Sequence, residues 1–145
     1  MAISEYEVRT MFAALASENP DAFFVRVADD VYWMVLGIHP LAGEYSDKEN
    51  FRRHVLERLA PCFDAPLKFY VREVVVADDR AAVELYTIAT ARNGVRFNCA
   101  CCWICEFENG RITGVRSYLD SALVQQLLDG EKPQKQSAKA DSLRE

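Results

Sequence analysis

Between Leu67 and Leu119 the chain reads as four β-type runs, Leu67 to Ala77, Ala81 to Ala91, Val95 to Phe107 and Arg111 to Leu119. Only Asp78-Asp79-Arg80, Arg92-Asn93-Gly94 and Glu108-Asn109-Gly110 separate them. Connections this short cannot hold the crossover that parallel neighbours require, so the four runs form an antiparallel meander. Asn-Gly within the second and third connections supplies the positive φ angles that tight hairpins favour.

Upstream of the meander the periodicity changes to that of helices. Ser4 followed by Glu7 is a capping box, and Val8, Met11, Phe12 and Leu15 recur at helical spacing, which predicts a helix over 4–17. Asn19-Pro20-Asp21 turns the chain into a short helical piece with Phe23 and Phe24, and Val27 to Val35 reads as the first strand. Leu36 to Tyr45, with Gly37, Pro40 and Gly43, is a shaped loop. Ser46 and Glu49 then form a second capping box for a helix to about Ala60, with Phe51, Val55, Leu56 and Leu59 on its apolar face. After the last strand, Asp120 or Ser121 caps a closing helix through Leu128. Residues 130–145 have almost nothing apolar to bury and read as a mobile tail, leaving one domain over 1–129.

With 145 residues, half of them apolar, the chain can bury a sizeable core without disulfides or metals. A net charge of -5 opposes a phosphate backbone, so no nucleic-acid partner is expected. No signal-peptide pattern opens the chain and nowhere do 18 apolar residues follow one another, which predicts a cytoplasmic protein with no membrane partner. Four of the five cysteines crowd into Cys99-Ala-Cys-Cys-Trp-Ile-Cys105 and Cys62 stands alone. Spaced along a strand and not paired at turns, they suit packing around Trp103 better than a disulfide framework or a metal site, so no metal is expected.

Three stretches carry a family likeness: Ala28-Asp-Asp-Val-Tyr-Trp33, Gly37-Ile-His-Pro-Leu-Ala-Gly-Glu-Tyr-Ser46, and Phe107-Glu-Asn-Gly-Arg-Ile-Thr-Gly-Val-Arg-Ser-Tyr-Leu-Asp-Ser-Ala-Leu-Val124. With the order helix, helix, strand, helix, four strands, they resemble the SnoaL-like branch of the nuclear-transport-factor-2-like superfamily, which includes steroid isomerases and polyketide cyclases. The resemblance implies an α+β cone, a curved and mostly antiparallel sheet wrapped around helices that enclose an apolar pocket for a hydrophobic small molecule. It also implies a homodimer formed through the outer face of the sheet.

Aligned on these stretches, the steroid-isomerase tyrosine, base and oxyanion acid fall on Leu15, Val35 and Trp103, and the aspartate of the epoxide-hydrolase branch falls on Ser117. None of those functional groups is kept. The expected pocket lining is therefore Leu15, Trp33, Val35, Tyr86, Trp103 and Ser117. Candidate catalytic groups are His39 and Glu44 at the pocket mouth and Glu84 on a middle strand, acting by acid–base chemistry without a cofactor in an isomerase, cyclase or dehydratase. His54 and Asp120 are read as structural. The alternative is a ligand-binding or dimerisation domain that kept the cone without the chemistry.

Overall fold

A computed structural model describes residues 2–129; the tail expected over 130–145 lies outside the described residues. Helix α1, Glu5–Ala13, begins where the capping box places it: Ser4 Oγ accepts the Glu7 amide at 3.1 Å, and the Glu7 carboxylate accepts the Ser4 amide at 3.3 Å. It buries Val8, Met11 and Phe12, then tightens into a 3-10 turn, Ala14–Ala16, that buries Leu15. A second 3-10 stretch, Pro20–Arg26, turns Phe23 and Phe24 inward.

Strand β1, Val27–Val35, has its expected bounds, but the loop after it folds back as a short edge strand, β2, Gly43–Tyr45. The next helix departs from expectation twice. Its cap is Asp47, whose Oδ1 accepts the Asn50 amide at 2.7 Å, and not Ser46. It also comes in pieces: α2, Lys48–Phe51, runs into a π-helical stretch, Arg52–Leu56, then α3, Glu57–Leu59, and a 3-10 turn at Ala60–Cys62.

The meander forms β3 (Tyr70–Ala77), β4 (Arg80–Tyr86), β5 (Ala100–Glu108) and β6 (Arg111–Leu119), and α4 (Ser121–Leu127) follows, capped by Asp120. The β4 and β5 ladders stop short of the runs read from the sequence because Thr87 intervenes. Its buried hydroxyl accepts the Cys99 amide at 3.0 Å and donates to the Phe97 carbonyl at 2.6 Å, taking a side-chain place in the ladder. Beyond it the hairpin continues as a loosely paired arm through Ala89, Ala91, Val95 and Phe97.

Among the described residues six strands form one open sheet in the order β2-β1-β6-β5-β4-β3. All neighbours are antiparallel except β1 and β6, which run parallel and set Val35 beside Ser117. Alternation sends Trp33, Val83, Leu85, Cys101, Trp103 and Val115 to the inner face beneath the helices. The outer face mixes exposed Val75 and Tyr118 with Glu73, Glu84, Glu106 and Arg116. The chain is an α+β cone.

Candidate functional site

The inner face and the helices meet around an aromatic cluster. Trp33 stacks on Phe51 with centroids 3.7 Å apart and planes 14° apart, and presents an edge to Trp103 at 5.2 Å. Phe12, Phe23 and Phe69 pack around Trp103 at 5.8 to 6.0 Å. Such pairs hold the rings in fixed orientations as well as burying them.

Beside this cluster lies an apolar cavity of about 50 Å³. Its wall takes Val35 from β1 and Leu41 from the loop. The broken helix contributes Phe51, Val55, Leu56 and Leu59, and Phe69 precedes β3. Phe97, Cys99, Cys101 and Trp103 come from the arm and β5, Ser117 and Leu119 from β6, and Val124 from α4. The π-helical stretch sets this arrangement, because its extra residue per turn shifts which side chains α2 and α3 present inward.

Among the described residues the only hydroxyl in the wall is that of Ser117, which accepts the Trp33 indole N–H at 2.7 Å. Two of its thiols are shifted by burial: Cys99 upward, with the charge of Asp120 adding and a backbone hydrogen bond at Asp120 opposing, and Cys101 to about 12. Both stay protonated near neutral pH, so they act as small apolar groups and not as nucleophiles. All five cysteines are free, and among the described residues no cluster of histidine, cysteine and carboxylate could hold a metal ion.

Three of the pocket residues expected from the sequence, Val35, Trp103 and Ser117, stand in the cavity wall. Leu15 and Trp33 are buried in the core next to it. Tyr86 is on the outer face, stacked on Tyr70 at 5.5 Å with the Arg72 guanidinium over its ring. The apolar set Ala81, Val83 and Leu85 on β4 carries the signal that fixes this, since only one face of the strand can be inward.

The three candidate catalytic groups lie apart. Glu84 is exposed on the outer face, above a shallow hollow it shares with Cys102, Tyr118 and Asp120. Glu44 is half-buried on the edge strand β2 opposite Met34. His39 is fully buried, but its ring is occupied on both sides by backbone. Nδ1 takes the Leu41 amide at 3.1 Å, and a ring nitrogen that accepts there carries no proton. Nε2 therefore bears the hydrogen and donates to the Leu36 carbonyl at 3.1 Å. Burial pushes this imidazole below its ordinary value, partly opposed by the Leu36 carbonyl. Among the described residues no hydrogen bond or ion pair joins His39, Glu44 and Glu84.

A larger groove of about 780 Å³ runs outside α2, lined by five carboxylates with Lys48 and Arg52. It is open to solvent, and its two cations are already paired, Lys48 with Asp29 at 3.1 Å and Arg52 with Asp21 at 2.9 Å. No helix among the described residues is long and apolar enough to cross a membrane.

Comparison with known proteins gives this geometry its context. A curated relative, the dimerizing cyclase phiC of a fungal species (strain ATCC 74256), is 25% identical over 130 residues, covering 87% of this chain and 57% of the relative. The chain thus spans little more than half the length of that relative. Among solved structures, an NTF2-like protein from Burkholderia thailandensis is similar with a TM-score of 0.73 at 24% identity, over 86% of this chain and 95% of that one. TerC, co-crystallised with polyporic acid, is similar with a TM-score of 0.69 at 13% identity, over 86% of this chain and 97% of that one. At these identities the two structures establish a shared fold. The SnoaL-like domain profile matches residues 8–115, from α1 into β6, and the chain belongs to that family.

Proposed function

We propose that this SnoaL-like domain binds a hydrophobic small molecule inside its cone, and that the cavity acts on its ligand by enclosing and orienting it and not through an acid–base pair of its own wall. The observation that carries this reading is the chemistry of the lining. Among the described residues it offers hydrocarbon, aromatic rings with the indole N–H of Trp103, thiols and one hydroxyl, with no carboxylate, imidazole or amine. Ligand pockets usually measure roughly 300–1,000 Å³, so a ligand must open this one further. The π-helical stretch is the wall best suited to give way, since a π turn can exchange with the α turns beside it.

Titration of the ¹⁵N-labelled protein with toluene tests the reading. Shifts concentrated on Leu41, Val55, Cys101, Trp103 and Val124, and abolished by the cavity-filling Val55→Phe, are expected. Absent shifts, or shifts confined to the outer face, overturn it.

A second reading, a cofactor-free isomerase, cyclase or dehydratase, is favoured by the name of the cyclase relative. Holding a flexible substrate in a reactive conformation accelerates an intramolecular step without an acid–base pair. Acid–base catalysis by His39 would instead need the loop from Leu36 to Ala42 to release the imidazole. Once a substrate is found, turnover unchanged by His39→Ala removes that residue from the mechanism.

The reading extends to assembly as a homodimer through the outer face of the sheet. That face carries Val75 at 59% and Tyr118 at 46% exposure, and charges of both signs, Arg72 and Arg116 with Glu73, Glu84 and Glu106, so it can complement a second copy of itself across a two-fold axis. Sedimentation as a monomer at micromolar concentration would count against it.

A further inference from the structure

The one hydroxyl among the described residues of the cavity wall takes part in a hydrogen bond between parallel neighbours. Trp33 on β1 has no exposed surface, Ser117 on β6 is 5% exposed, and the indole Nε1 lies 2.7 Å from the serine Oγ. An indole N–H can only donate, so the direction is fixed and the serine oxygen accepts. The serine's own hydrogen must then point elsewhere, and among the described residues no acceptor takes it. Ser117 stands in the cavity wall, among side chains that offer no carbonyl or carboxylate. A hydroxyl that already accepts a hydrogen bond is polarised into a stronger donor.

Trp33 is itself clamped, which fixes the donor's position. Its ring is stacked on Phe51 and held edge-on against Trp103, and its backbone is registered between Tyr45 on β2 and Val115 on β6.

We infer that Ser117 is the specificity-determining group of the cavity, its hydroxyl donating to a single acceptor oxygen on an otherwise apolar, neutral ligand such as a ketone, aldehyde, ester or ether. This rests on the pocket reading above and narrows its ligand class. A carboxylate would enter a wall that holds no cation and would lose its hydration without a partner. A hydrocarbon would leave the hydroxyl hydrogen unpaired.

Acetophenone, ethylbenzene and benzoate are close in shape and differ at this one group, and NMR titration of the whole chain compares them. Replacing Ser117 by Ala is expected to weaken acetophenone about tenfold, the size of one neutral hydrogen bond, and to leave ethylbenzene unchanged or tighter. Ser117→Thr, which keeps the hydroxyl, is expected to keep the ketone's affinity, and the Trp33 indole N–H resonance is expected to move with acetophenone more than with ethylbenzene. Ser117→Ala strands a buried indole N–H, so a Trp33→Phe/Ser117→Ala double variant, which removes donor and acceptor together, covers the case in which the single variant does not fold. Benzoate binding as tightly as acetophenone would overturn the inference. So would a loss on Ser117→Ala that is equal for ketone and hydrocarbon, or absent for both, while the pocket reading stands. If none of the three probes binds the unaltered protein, the pocket reading fails and the inference with it.

Discussion

His39 and Leu41 are joined by a hydrogen bond of 3.1 Å from the leucine amide to the imidazole Nδ1, which spans two residues and makes the histidine a brace for its own loop. The bracing extends outward. Tyr45 donates to the Leu41 carbonyl at 2.7 Å, Arg58 to the Pro40 carbonyl at 2.9 Å, and the Ile38 amide to Ser121 Oγ at 3.3 Å. Protonating Nδ1 would set two donors against each other.

The consequence for stability has a definite sign. With a native value held below the ordinary 6.5, His39 takes up its proton more readily in the unfolded chain than in the native one. Its contribution is complete above 6.5 and is lost as the pH falls from there towards the native value. Urea unfolding of the unaltered protein and of His39→Gln, at about pH 7.5 and about pH 5, is expected to show the stability gap between them narrowing in acid. A gap that stays constant would show that His39 does not titrate between the two states.

Gly37 sits at a φ of 120° against the same brace. A Cβ there would collide with the Ser121 hydroxyl and come within 2.8 Å of the His39 ring, in a backbone conformation that alanine disfavours. Gly37→Ala is therefore expected to lower stability by about 1–3 kcal/mol, with the largest amide shifts in the loop from Leu36 to Ala42 and at the start of α4. Thermal and urea unfolding measure the first effect and amide NMR the second.

The cap of α2 separates two neighbouring residues. Asp47→Ala removes the side chain that receives the Asn50 amide and is expected to cost about 1 kcal/mol, whereas Ser46→Ala is expected to stay within about 0.5 kcal/mol. Equal losses in urea unfolding would mean that both residues cap.

That pair also shows where sequence reasoning reaches and stops. Ser46-x-x-Glu49 and Asp47-x-x-Asn50 are both acceptable caps, and only the path of the chain out of β2 selects the second. The strand β1, the strand β6 and the capping box of α1 were legible because their patterns are local. The family likeness put Val35, Trp103 and Ser117 in an expected pocket, and the three stand in the wall of the apolar cavity. What depends on long-range placement was not legible. Trp33 and Ser117 are 84 positions apart, and nothing in either segment says that β1 lies parallel to β6. Glu84 and Tyr86 followed the alternation, but which face turned inward was decided by Val83 and Leu85. The π-helical stretch has no composition of its own, and the occupied ring of His39 follows from a loop shape that Gly37, Pro40 and Gly43 merely permit.

The parallel pairing of β1 with β6 also governs the order in which this chain can become a protein. As it leaves the ribosome, β1 emerges with Val31, Trp33 and Val35 ready to be covered, yet the neighbour that lies along it is the last of the described strands to be made. Until residue 119 is clear of the exit tunnel, β1 has only the three residues of β2 to pair with, and its other edge stands open to other nascent chains. A message cut short before β6 would therefore yield an adhesive fragment in place of a smaller domain.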